Sequence, residues 1–161
     1  MGVIVEEQES RCSIPPTRLF KAYRDSQNLF PKVLPSVFKS IEVKEGNGGA
    51  GSILLITYYD EGDKVMTVKH KIEEVDETNH VYKFSVIEGD DLGEDFESSS
   101  TAIKIEAAAN GGSVYKSVST YHTKGDNHNV IREKINKATE AAKAFLQAIE
   151  AHLHSNPNEY K

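Results

Sequence analysis

The chain has 161 residues, 38% apolar and 27% charged, without a low-complexity tract, a composition that excludes a disordered chain and fits one compact globular domain over residues 1–161. A net charge of −6 and the lack of any basic block exclude a protein built to hold nucleic-acid phosphates, so no stable nucleic-acid partner is expected. Apolar runs such as Ile53-Leu54-Leu55-Ile56 fall far short of the roughly 20 residues that cross a bilayer, and a single cysteine, Cys12, forbids an internal disulfide.

Residues 3–13 read as a strand. Ile14-Pro15-Pro16-Thr17 follows, and proline suits a first helical turn, so a helix carrying Leu19, Phe20 and Tyr23 is expected there. Asp25-Ser26 is positioned to cap a second short helix, ended by Pro31 or Pro35. From Phe38 the period changes to two: segments 38–44, 53–59, 65–75, 80–88, 95–106 and 113–123 read as strands, separated by EGNGGAG, DEGD, DETN, GDDLGED and ANGG. This is an antiparallel meander, and Asn110-Gly111 supplies a tight hairpin between its last two strands. Residues 129–154 return to a 3.6 period, with Ile131, Ile135, Ala138, Ala142, Phe145, Ile149 and Leu153 near one face. Seven strands around one long helix make an α+β helix-grip fold, a seven-stranded antiparallel curved sheet with two short helices after its first strand. No heptad is offered to a second copy, so a monomer is expected.

Alternation groups Met66, Val68, His70 and Ile72 on one strand face, and Tyr82, Phe84 and Val86 on the next. Ser99, Thr101, Ile103 and Ile105 share a face, as do Tyr115, Ser117, Ser119 and Tyr121. If these faces point inward, hydroxyls line part of the interior.

Residues 46–51 spell G-x-G-x-x-G. A dinucleotide fingerprint needs a helix after its glycines, whereas the β-rich run Ser52 to Tyr59 follows here. A phosphate loop needs a lysine after its last glycine, where Ser52 stands, and the kinase version lacks its partner motifs. Gly46, Gly48, Gly49 and Gly51 therefore read as a strand-to-strand connection, with anion binding by the loop's N–H groups as the remaining functional option.

Chemistry-bearing residues are sparse. Cys12 sits in the first strand with no histidine near in sequence and reads as a buried thiol. The six histidines show no metal spacing, and the acidic stretch Asp90, Asp91, Glu94, Asp95 and Glu97 lacks a calcium-loop pattern, so neither metal nor cofactor is expected. His70 is the polar residue of an apolar face; it either bonds a core partner or orients a ligand.

The words MGV, SIPPTRLFKAY, NLFPKVLP, EGNGGAGSI, FSVIEGD, NGGSVYKSVSTYHTKGD and NPNEY cover essentially the whole chain. They closely resemble the class-ten pathogenesis-related plant proteins, the family of the major birch-pollen allergen. The resemblance implies a helix-grip fold around a large hydrophobic cavity and an intracellular, defence-related binder of small amphipathic ligands: flavonoid, cytokinin-like or steroid-like. With no leader segment and no N-x-[ST] acceptor in the sequence, a cytoplasmic location without a membrane span is expected.

Expected cavity residues are Tyr23, Phe38, Ile56, Tyr58, Val68, His70 and Tyr82, together with Phe84, Thr101, Ser117, Ile135, Ala142 and Phe145. Some relatives are described as ribonucleases. Their proposed acid–base set corresponds to Glu97, Glu150 and His152, with histidine standing where they carry tyrosine. Other relatives are cyclases or isomerases that use a cavity lysine. Here Lys69 and Lys71 alternate away from the His70 face, and Lys134 and Lys137 are expected on the solvent side of the last helix.

Overall fold

The first strand, β1 (Gly2–Cys12), ends where Ile14 buries and Pro15 takes an extended conformation. Pro16 then opens α1 (Pro16–Arg24), because its fixed φ suits the first turn and its missing N–H costs nothing there. These coordinates are a computed structural model that describes residues 2–89, 92, 95–125 and 128–161; Asp90, Asp91 and Glu94 of the acidic stretch lie outside the described residues. α1 buries Leu19, Phe20 and Ala22, and α2 (Ser26–Val33) buries Leu29. Pro31 lies inside α2 rather than ending it, and the helix closes at Val33, where Leu34 N donates to Phe30 O and Pro35 follows. Asp25 makes no side-chain cap; its carboxylate instead accepts from Asn28 Nδ2 at 2.7 Å and from Tyr160 Oη at 2.6 Å.

The meander follows as β2 (Phe38–Glu45), β3 (Ile53–Tyr59), β4 (Val65–Asp76), β5 (Val81–Gly89), β6 (Phe96–Ala107) and β7 (Ser113–Thr123). Consecutive strands pair antiparallel, and β1 adds beside β7, giving the order β1-β7-β6-β5-β4-β3-β2. The β6–β7 hairpin forms as the sequence indicates, with Gly111 alone of the pair at positive φ (+91°). Two register shifts decide what reaches the interior. Strict alternation after Ile72 would turn Glu74 inward; a shift between Ile72 and Glu74 leaves both Glu73 and Glu74 exposed and returns Val75 to the core. A shift between Phe96 and Ser98 does the same for Glu97, which stays exposed while Phe96 and Ser99 both turn inward.

The last helix, α3 (His128–Ser155), is about 42 Å long at 1.5 Å per residue. Its buried residues fall in two groups. Ile131 and Ile135 pack against Phe96, with Tyr121 and Ile4 beside them, while Leu146, Ile149 and Leu153 join Ile14, Leu19, Phe20, Ile105 and Tyr115. Leu146, absent from the expected stripe, is buried, whereas Ala138 is exposed. The C-terminal end is fixed further by Arg18, whose guanidinium donates to Leu153 O (2.8 Å), Asn156 O (2.8 Å) and Glu159 O (2.9 Å). A helix end leaves carbonyls without intrahelical partners, and a five-donor planar cation suits them.

The clamped end should dominate stability. Leu153→Ala, at a fully buried position, is expected to cost about 2–5 kcal/mol in urea unfolding. Val130→Ala, on the exposed side of the same helix, should stay within about 0.5 kcal/mol of the parent.

Candidate ligand-binding site

Strand register places the inward side chains in rows across the sheet. One row runs Leu54, His70, Val86, Ser99, Tyr121 and Ile4; the next runs Ile72, Phe84, Thr101, Ser119 and Glu6. A third runs Val75, Tyr82, Ile103, Ser117 and Gln8. The first two rows grade from aliphatic and aromatic groups on β4 and β5 to hydroxyls on β6 and β7, and the third reaches a hydroxyl only at Ser117 on β7. Thr101 Oγ1 and Ser119 Oγ bond each other at 2.9 Å, which satisfies one pair of these hydroxyls within the sheet.

Above the rows, α3 carries no buried residue between Ile135 and Leu146, a stretch that includes Ala138, Thr139, Ala142 and Phe145. His70 illustrates the consequence. Its ring stacks on Phe84 at a centroid distance of 4.3 Å and an interplanar angle of 16°, and it is only partly covered. Desolvation nevertheless pushes its pKa from 6.5 down to about 4. Tyr82 shows the same combination: it is partly covered, and burial raises its hydroxyl pKa to about 12. Burial likewise raises the Tyr23 hydroxyl well above 10, so both phenols remain donors at any physiological pH.

Near the first turns of α3 the space becomes a cavity of about 130 Å³. Val68, Val86, Phe96 and Ile135 supply apolar walls, Tyr58 and Ala138 close its sides, and Ser99, Tyr121 and Lys134 supply polar groups. Of the expected cavity residues, Tyr58, Val68 and Ile135 line it. Phe38 and Ile56 are buried in a neighbouring cluster, with Phe145 against Phe38 at 5.1 Å. Tyr23 packs on Phe30 and Tyr115, and Ser117 is buried. Thr101 and Ala142 are half-covered, on the second row and on the slack part of α3. Alternation already put Val86, Ser99 and Tyr121 on these faces, and the helical period put Ile135 and Ala138 on theirs; Leu92, Gly89 and Lys134 left no periodic signal.

Lys134 corrects the solvent-side expectation. It lines the cavity while its ammonium pairs with Asp95 at 2.5 Å. Lys137 does face solvent, paired with Glu133 and Glu61 at 3.8 Å.

The glycine loop is tied to itself. Gly48 N donates to Ser52 Oγ (2.9 Å), Gly49 N to Asn47 Oδ1 (3.0 Å) and Gly51 N to Ile72 O (2.7 Å). N–H groups spent on internal acceptors do not converge on an anion. At Gly46 (φ +87°) a Cβ would lie 2.3 Å from the buried Ser52 Oγ, so the glycine is set by close packing as well as by conformation. With this turn, sheet and helix in place, the chain matches the Pathogenesis-related protein Bet v 1 family over residues 1–156. This chain belongs to that family.

Within the Bet v 1 family it is 44% identical to the major strawberry allergen Fra a 1.05 of Fragaria ananassa over 99% of both chains. The crystal structure of Ara h 8.0201 superposes with a TM-score of 0.81 at 34% identity, covering 96% of this chain and 99% of that one. Norcoclaurine synthase from Thalictrum flavum, solved with dopamine and hydroxybenzaldehyde, superposes with a TM-score of 0.78 at 23% identity, over 96% of this chain and 88% of that one. That last likeness is one of fold.

The residues corresponding to the ribonuclease set do not converge. Glu97 lies outside the sheet near Thr123, which pairs with Gly2, whereas Glu150 bonds Ser13 beyond the other end of β1. Ten residues of strand separate these levels, about 33 Å. Glu150 and His152, two residues apart on a helix, diverge by about 200°; His152 pairs with Glu159 at 2.5 Å. Glu150 accepts from Ser13 N (2.6 Å) and Ser13 Oγ (2.7 Å), and Ser13 Oγ also meets His154 Nε2 at 2.5 Å. Burial pushes the neighbouring Cys12 thiol up to about 11, which leaves it unreactive. Among the described residues no group of three metal-ligating side chains occurs, and no helix is long and apolar enough to cross a membrane.

Two outcomes test this description. Gly48→Ala meets no atom within 4 Å and should cost about 1–2 kcal/mol through its positive φ alone, whereas Gly46→Ala should cost about 1–3 kcal/mol more, read from urea midpoints. The Ser13 N–H holds the Glu150 pKa below its ordinary 4.5. Its contribution is therefore complete above 4.5 and is lost as pH falls through the lower folded value. Glu150→Gln should be less stable than the parent at neutral pH, and the two should converge in strong acid.

Proposed function

We propose that this protein binds a small amphipathic molecule between the inner sheet face and α3, as a defence-related plant carrier acting as a cytoplasmic monomer with one ligand-binding domain. The observation that carries the reading is the cavity between the sheet and the first turns of α3, apolar on Val68, Val86, Phe96 and Ile135 and hydroxyl-bearing on Ser99 and Tyr121. Affinity comes from apolar burial, worth about 25 cal/mol per Å². Orientation comes from His70, Tyr82 and the free valences of the β6 and β7 hydroxyls. Because His70 stays neutral above about pH 4, it offers one donor and one acceptor throughout the physiological range.

Size refines the ligand class. A cavity of about 150 Å³ holds benzene, so this cavity of about 130 Å³ takes a single ring. Flavonoid-, cytokinin- or steroid-sized bodies require the half-covered surfaces of His70, Tyr82 and Phe145 as well, and α3 must yield over its slack middle.

Displacement of a neutral polarity-sensitive fluorophore by a panel of hydroxylated aromatic metabolites tests the reading. His70→Ala and Tyr82→Ala should each weaken hydroxylated ligands about three- to tenfold, with the parent's affinity flat between pH 5 and 8. Failure of the fluorophore to find any site sensitive to these two substitutions removes the proposal.

A further inference from the structure

The cavity near the start of α3 carries one basic side chain in a mostly apolar lining. Its walls are Val68, Val86, Phe96 and Ile135, and its basic group is Lys134, on the first turns of α3 beside the exposed Ala138. Lys134 pairs with Asp95 at 2.5 Å, the lysine side chain 36% and the aspartate side chain 22% exposed. Of this pair the lysine, not the aspartate, lines the cavity. The pair sits at a boundary between protein and water, where a charged group keeps part of its hydration, and the three donors of an ammonium let a second carboxylate join Asp95.

Resting on the ligand-binding reading above, we propose that Lys134 makes this site selective for amphipathic acids: a one-ring or similarly compact apolar body in the cavity, with its carboxylate on the Lys134 ammonium at the mouth. A carboxylate there gains a charge-assisted hydrogen bond, and Ser99 and Tyr121 stand on the same lining to serve its other lone pairs. A neutral amide of the same shape keeps the apolar burial but loses the ionic contact. An amine of the same shape meets Lys134 with like charge. The lysine acts as a specificity-determining group, and Asp95 holds it in place when the cavity is empty.

The test uses three compounds of one shape: 3-phenylpropanoic acid, 3-phenylpropanamide and 3-phenylpropylamine, each displacing a neutral fluorophore from the full-length protein. The parent should prefer acid over amide by about tenfold, and amide over amine. Lys134→Met should abolish the preference for acid while leaving amide affinity within about twofold, and Lys134→Arg should keep it. In the unsubstituted protein the acid-to-amide ratio should shrink toward one in about 1 M salt, where screening acts within about 3 Å; this arm holds even where a variant folds poorly. An acid preference that survives both Lys134→Met and high salt overturns the role of Lys134 and leaves the cavity reading intact. Failure of all three compounds to displace the fluorophore, with the fluorophore itself indifferent to His70→Ala, overturns both.

Discussion

The attachment of α3 at its two ends governs this molecule. At one end Ile131 and Ile135 are held by Phe96 and Tyr121. At the other, Leu146, Ile149 and Leu153 enter the main core, and Arg18 binds the terminal carbonyls. A helix clamped in this way spans whatever lies between without having to fill it. Small side chains such as Ala138 and Ala142 sit over the span, and the sheet beneath presents half-covered residues where a solid core would bury them. Loosening either clamp would let α3 settle, so the stability of the ends and the openness of the middle are one design.

The two short helices complete the arrangement. β1 and β2 form opposite edges of the sheet, and the chain travels between them through α1 and α2. The route closes one end of the interior with Leu19, Phe20 and Leu29 and places Arg18 under the C-terminus of α3. The edge left open, β1, carries Glu6, Glu7 and Glu9, charges that oppose pairing with a second copy. Glu6 also turns inward to meet Arg132 of α3 at 2.7 Å, so the edge strand is tied to the helix as well as to β7.

Most of the architecture was legible in sequence because it rests on local signals. Proline at the start of α1, a two-residue period through the meander, Asn110-Gly111 at the hairpin and a 3.6 period in α3 each act within a few residues. What escaped depends on contacts between distant segments. The shift that turns Val75 inward is recorded only as two adjacent glutamates, Glu73 and Glu74, one of which strict alternation would have buried. Lys134 resembles any solvent-facing lysine of an amphipathic helix until Asp95 and the cavity lining are set beside it. The acid–base set fails for the same reason: Glu97, Glu150 and His152 are tied to a motif in sequence, but bulge, strand length and helical twist send them apart.

The glycine loop shows how a motif can be decided twice by independent physics. In sequence, the strand after Gly51 removes the helix N-terminus that a dinucleotide would need. In structure, the loop's N–H groups serve Ser52, Asn47 and Ile72, and Ser52 is itself buried. An anion there would compete with those acceptors for the N–H groups of Gly48, Gly49 and Gly51, and serine, not lysine, directly follows Gly51. Gly46 is required because Ser52 fills the space a side chain there would occupy, and Gly48 and Gly51 by their positive φ. Their spacing, which imitates a phosphate cradle, follows from a turn that must fold tightly onto one buried hydroxyl.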